Sequence, residues 1–367
     1  MPPTLAWATD GGVDWLVLRG VTPEALVRLG SLAAEDLPRA LPVFPSDVLD
    51  GDRAPAGVQP VAGRYCVGDA DIRFAPRFPF VAGTAYTMLV EGGGLGDAEA
   101  LNLTRPPVEG VPSTEVVAVH PSGTALPRNA LRLYVEFSSA MSEGLAAAHV
   151  HLERDDTGES IPGPFSPMDP ELWDPGRRRL TVLLDPGRIK RGLSSHREAG
   201  YPLEQGAAVA LVVERGYRDA GGRPLVAGHR HRYAVGPDVR ELVDPRRWVL
   251  DVPAAGGRRP LVVGFDRPLD RALLGRCLSV AGPGGEALGG VVAVAEGEGS
   301  WSFTPGCPWL PGPHHLRVEP VLEDLAGNSV SRVFDRDLER PEHEPRAPVS
   351  VPVPFSVGGD RPSLHGQ

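Results

Sequence analysis

One order of signals recurs three times along the chain: a short strand, a proline-rich corner, a glycine, and a second strand. It first runs from Ile72-Arg-Phe74 through Pro76, Phe78, Pro79, Phe80 and Gly83 to Tyr86-Thr-Met-Leu-Val90. It returns as Leu180-Thr-Val-Leu-Leu184, Asp185-Pro-Gly187, a long loop, Pro202-Leu-Glu-Gln-Gly206 and Ala208-Val-Ala-Leu-Val-Val213. It closes as Trp301-Ser-Phe303, Pro305, Pro308-Trp-Leu-Pro-Gly312 and His315-Leu-Arg-Val318. Proline removes a backbone donor and glycine is costly to order, so a chain punctuated this way cannot sustain long helices. With 45 glycines and 40 prolines among 367 residues, and 41% hydrophobic residues, the expectation is many short strands with real cores.

The strands that open the second and third repeats also match. Leu131-Arg-Leu-Tyr-Val-Glu-Phe137 leads to Ser138-Ser-Ala-Met141, and Leu261-Val-Val-Gly-Phe265 leads to Asp266-Arg-Pro-Leu269. A period of about 100 to 120 residues means tandem domains, because solenoid repeats run about 20 to 50. Short strands without crossover helices predict an all-β chain of tandem two-sheet sandwiches. Alternation places Leu131, Leu133, Val135 and Phe137 on the core face, and Arg132, Tyr134 and Glu136 on the other. One short helix is expected near the N-terminus, where Thr22 caps Pro23 and Glu24 and an apolar stripe runs to Pro38. The expected units are 1–112, β-rich with that helix; 113–240, a sandwich with a long basic loop; 241–340, a second sandwich; and 341–367, a disordered or surface-extended tail. Gly92-Gly-Gly-Leu-Gly96 reads as a linker at the first seam.

Val135-Glu-Phe137 with Ser138-Ser-Ala-Met141 resembles the opening of bacterial immunoglobulin-like domains of the surface-layer type. Leu322-Glu-Asp-Leu-Ala-Gly-Asn328 resembles their closing turn. Leu172-Trp-Asp-Pro, Leu184-Asp-Pro-Gly-Arg-Ile-Lys-Arg-Gly192 and Pro308-Trp309 are similar to an uncharacterised family built from such domains. The resemblance spans roughly residues 114 to 335 and implies a cell-envelope or extracellular setting. The first unit lacks both motifs, and Met1 to Asp10 has no basic segment followed by an apolar core.

Composition narrows the function classes. A net charge of -10 argues against a broad nucleic-acid surface, which needs lysine and arginine against phosphates. No apolar run is long enough for a membrane-spanning helix. Nucleophile-elbow, zincin, phosphate-loop and dinucleotide patterns are absent, so no enzyme signature is found and no cofactor is implied. Cys66, Cys277 and Cys307 match no zinc spacing and read as free thiols, with a Cys277–Cys307 pair as the alternative.

The candidate binding residues are Arg188, Lys190, Arg191, His196 and Arg197, in a loop longer than a hairpin needs and suited to an acidic glycan, phosphate or protein partner. The same charges could equally pair internally with Glu198, Glu204 and neighbouring domains. The candidate metal ligands are His149, His151, His229 and His231: each i, i+2 pair faces one side of its strand, and adjacent strands would let the pairs converge. Asp219-Ala-Gly-Gly222 and Asp324-Leu-Ala-Gly-Asn328 read as tight turns rather than calcium loops. Trp173, Trp248, Trp301 and Trp309 read as core residues. The leading expectation is a non-catalytic spacer, adhesion or scaffold element. A metal-binding module and a hydrolase with an interdomain site are the alternatives.

Overall fold

The computed structural model describes residues 2–51, 53–54, 58–90, 99–107, 110–168 and 170–358. Their strands form six sheets, two to a unit. In the first unit, β1 (Thr4–Asp10), β2 (Val13–Arg19), β3 (Val43–Pro45), β4 (Gly63–Val67), β5 (Asp71–Pro76), β6 (Ala85–Val90) and β7 (Glu99–Thr104) form sheets β1-β2-β5-β4 and β3-β6-β7. This is the two-sheet strand order of an immunoglobulin-like sandwich. Helices α1 (Pro23–Gly30) and α2 (Leu37–Ala40) fill the connection between β2 and β3. Thr22 accepts the Ala25 N–H and proline stands in the first turn of α1, while Ala25, Leu26 and Leu29 face the core.

The second unit begins with β8 (Val116–His120), β9 (Ala125–Pro127), β10 (Arg132–Phe137), α3 (Ala146–His149) and β11 (Val150–Arg154). It continues with β12 (Leu172–Trp173), β13 (Arg179–Leu183), α4 (Pro186–Ile189), α5 (Ser194–Ala199), β14 (Ala208–Val213) and β15 (His229–Gly236). Its sheets run β12-β13-β10-β8 and β11-β14-β15-β9, with β9 parallel to β15. The third unit carries β16 (Val249–Asp251), β17 (Leu261–Gly264), α6 (Arg271–Leu274), β18 (Leu278–Ala281), β19 (Gly290–Val294), β20 (Ser300–Pro305), β21 (Gly312–Val318) and β22 (Val351–Val357), in sheets β16-β17-β20-β19 and β18-β21-β22. The chain is therefore all-β with tandem sandwiches. Helices beyond α1 are short turns inserted between strands. No helix among the described residues is long and apolar enough to cross a membrane.

Two expectations are corrected. The tail does not lie free: Val351–Val357 pairs with all of Gly312–Val318 and supplies the seventh strand of the third unit. Its alternation turns Phe355 and Val357 into the core and leaves Pro352 and Pro354 exposed. As an edge strand it tolerates prolines whose missing donors would point outward. The seam at Gly92–Gly96 is also misplaced, because β6 and β7, on either side of it, pair within one sheet. That segment, like 359–367, lies outside the described residues.

Buried apolar side chains gather in three clusters, one per unit. The middle cluster takes in Val81 from the first unit and Leu325 from the third. Leu131, Leu133, Val135 and Phe137 are all buried, as the alternation requires. Tyr134 is buried too, although it points away from that core. The third unit covers that face, and the Tyr134 hydroxyl donates to Asp270 at 2.7 Å. Trp173, Trp248, Trp301 and Trp309 sit in or against the cores.

Candidate functional site

The most elaborate constructions are the two joints between units. Each is made by the connection that precedes the last strand of the following unit. In the second unit, Asp219 accepts the N–H groups of Gly221 and Arg223 and the Thr114 hydroxyl, folding the segment before β15 into a tight turn. Gly222 at its tip, with φ +79°, lies so close to Ala82 that a Cβ there would stand 2.5 Å from the alanine Cβ. In the third unit, Asp324 accepts from Ala326 and Asn328. Gly327, with φ +77°, meets Leu131 in the same manner, and the Leu131 N–H donates to Leu325 O at 2.8 Å. The left-handed backbone favours glycine at both positions, and at Gly222 the Ala82 backbone also leaves no room for a Cβ. The Asp324 carboxyl is pushed up to about 6 by burial, against which Arg267 acts at 3.0 Å. The turn oxygens are occupied by protein donors, leaving no calcium-like cage.

Buried ionic networks reinforce the second joint. Arg132 reaches Asp270 at 3.1 Å and also pairs with Glu323. Burial works against the Arg132 cation, but Glu323 and Asp270 more than offset it and hold its pKa above the usual value. Glu298, 1% exposed, receives the His120 ring at 2.8 Å and both the N–H and hydroxyl of Ser122. Asn129 exchanges two bonds with the Val239 backbone.

The basic loop belongs to this joint as well. Arg188 donates to five backbone carbonyls, those of Pro162, Gly163, Ala199, Gly200 and Tyr201, and so pins α4 to α5. His196 meets Arg188 O at 2.5 Å, and Arg197 caps Gly192 O. Lys190 stands 4.5 Å over the Phe334 ring, and Arg191 pairs with Asp335 at 2.9 Å. Asp335 also holds Arg240 at 3.0 Å. The five residues are therefore brought together, but their cationic groups meet internal partners. Asp337 pairs with Arg191 and Arg340, and Asp155 and Asp156 pair with Arg230, Arg232 and Arg154.

The histidines are not brought together. Strand β14 lies between β11 and β15. His151 stands across from Val212 and then Arg230, whereas His231 stands across from Leu211 and then Leu152. Cross-strand partners share a face, so His151 and His231 lie on opposite sides of the sheet. His149 stacks on Tyr217 at 5.4 Å and approaches Glu214, while His151 bonds Glu153. His231 bonds Gly123 O, and burial with nearby His231 lowers the His229 pKa. No group of three or more metal-ligating side chains occurs among the described residues. Cys66, Cys277 and Cys307 are free thiols.

A cleft of about 270 Å³ lies between the first and second units. The Pro-Phe corner noted in the sequence forms one wall, and the segment after β10 with Pro167, Met168, Pro170 and Glu171 forms the other. Glu143 has no hydrogen-bond or ion-pair partner among the described residues, and burial, with Glu171 nearby, pushes it up to about 7. Glu171 accepts from the Ala146 N–H at 2.6 Å and the Trp173 ring N–H at 2.7 Å. A more open recess of about 410 Å³ behind the first joint holds Arg105, which is already paired with Asp14 and placed over Trp7. Glu143 and Glu171 carried no motif in the sequence. Only a pattern of carboxylates flanking the segment after β10 would have marked them.

No family model matches the chain, and no curated protein matches it. Among solved structures it is similar to the N-terminal part of the bacterial S-layer protein SbsC, at 12% identity and TM-score 0.23, over 56% of this chain and 40% of that one. It is also similar to part of native α2-macroglobulin from Escherichia coli, at 12% identity and TM-score 0.21, over 88% and 95% of the two chains. A three-domain piece of titin matches at 11% identity and TM-score 0.18, over 89% and 92%. These superpositions are loose, and the sandwich assignment stands on the strand order of the sheets themselves.

Proposed function

We propose that this chain is a non-catalytic modular element, a stiff spacer or scaffold of three sandwich units, serving at the bacterial cell envelope. The units are residues 1–112, 113–240 and the remainder through β22. The observation that carries the reading is the repetition of one joint: an aspartate-ordered turn with a positive-φ glycine is pressed onto the preceding unit at both boundaries. Interfaces between domains of one chain are by default mobile unless extensive. The second joint adds the buried groups Glu298, Asp270 and Asp335, which hold one relative orientation. The basic loop supports the same role as internal bracing.

Spin labels on the first and third units, with distances read by pulsed electron resonance, test the proposal. A single narrow distance distribution supports a stiff spacer, and a broad one sinks it. Turnover of glycan, ester or peptide substrates would overturn the non-catalytic part. The hydrolase alternative draws on Glu143, pushed up to about 7. Both Glu171 oxygens already accept from Ala146 and Trp173, which opposes its use as a second catalytic carboxylate.

A further inference from the structure

The cleft between the first two units is walled by proline and aromatic side chains around the half-buried carboxyl of Glu143. Pro45, Pro60, Pro76 and Pro79 line it from the first unit, and Pro167 and Pro170 from the second. Proline has a carbonyl but no N–H. Several lining backbone donors are engaged, Val61 N–H on Val43 O, Arg77 N–H on Ala62 O and Ala148 N–H on Leu145 O, and the Gln59 amide and Arg77 guanidinium are side-chain donors in the lining. Phe78, Phe80 and Met168 supply apolar walls. Glu143 adds a half-buried carboxyl without a partner among the described residues. Arg77 and Arg177 approach it, yet both guanidinium groups lie over the Phe78 ring, at 5.6 and 5.9 Å. A half-buried carboxylate without a donor is costly, and a cation that reaches it removes that cost.

We propose that this cleft docks an extended segment of a partner protein, which inserts one lysine side chain so that its apolar stem packs on the proline and phenylalanine walls and its ammonium meets Glu143. The volume of about 270 Å³, spread along a groove with walls from two units, suits one side chain better than a drug-sized ligand, which needs about 300–1,000 Å³. Lysine buries its stem while presenting three donors at the tip. Among the described residues, Glu171, Arg177 and Arg77 are the other charged groups acting on Glu143. Docking strengthens as pH rises through about 7, where Glu143 becomes charged. This inference goes beyond the spacer reading and does not need it: loss of docking leaves the interunit distances unchanged.

The test uses the full chain and a capped pentapeptide, Ala-Pro-Lys-Pro-Ala, followed by the amide chemical shifts of Gly144 and Ala148. The lysine peptide is expected to shift both amides and to bind about tenfold or more tighter than its norleucine counterpart. E143Q should abolish that preference. Ala147→Trp, which fills the groove without touching a charge, should abolish binding while thermal unfolding shows both variants folded. Equal binding of the two peptides, unaltered binding by E143Q, or no shift at millimolar peptide overturns the proposal. So does binding of n-hexylamine without binding of the peptide, which would make the cleft a small-amine site.

Discussion

Gly327 of the third unit rests against Leu131 of the second so closely that a Cβ at 327 would stand 2.6 Å from Leu131 Cδ2. Gly222 and Ala82 repeat the relationship one unit earlier. Both glycines also have positive φ, which a side chain disfavours by about 1 kcal/mol before any clash. Gly222→Ala and Gly327→Ala are each expected to destabilise by about 1–3 kcal/mol. Each should broaden the distance distribution across its own joint while leaving the other unchanged. Thermal unfolding and the spin-label distances check this.

Asp335 is 6% exposed and serves Arg191 and Arg240 together. Asp335→Ala leaves both cations without their shared partner and releases the α4–α5 loop from the third unit. The expected loss is about 1–3 kcal/mol, below the buried-pair range because Arg191 is partly solvated. Limited proteolysis should then cut within residues 188–200, where the parent chain resists.

Asp324 gives a pH signature. Its carboxyl is pushed up from 3.8 to about 6 by burial, so the folded chain holds that proton more tightly than the unfolded chain. This group's contribution to stability is therefore greatest below 3.8 and declines as pH rises toward about 6. Glu153, Asp155, Asp174, Asp244 and Asp251, held below their usual values, act in the opposite sense at lower pH. Subtracting the unfolding profile of Asp324→Asn from that of the parent isolates the effect. The expected difference favours the parent increasingly on acidification across that window, by at most about 3 kcal/mol.

Phe355 and Val357 anchor the last strand in the third core. Phe355→Ala is expected to cost about 3–5 kcal/mol, the range for buried aromatic truncations. Truncation after residue 349 should destabilise the third unit and leave β21 as an unpaired, sticky edge. Circular dichroism and size-exclusion chromatography distinguish these results from a dispensable tail.

The opposite-face placement of His151 and His231 predicts no cooperative zinc or copper site. Titration of either metal at micromolar concentration should leave the histidine resonances unshifted.

Periodicity by itself determined that Leu131, Leu133, Val135 and Phe137 share a core face, and proline and glycine spacing determined that sandwich units repeat. Those signals are local, because alternation and turn chemistry act within a few residues. Tyr134 shows the limit: its strand face reads as solvent, yet it is buried against Asp270, 136 residues away. The α4–α5 loop reads as a basic surface until Asp335 and Phe334 arrive from the third unit. The histidine pairs read as metal-compatible until β14 separates them and the register turns them apart. Val351–Val357 reads as a proline-rich tail because its role as an edge strand depends on β21 being there to pair with it. Glu143 becomes distinctive only when the first unit packs beside it and half-buries it. Short-range sterics thus set the units, while long-range burial and charge pairing decided which polar side chains were buried and paired across them.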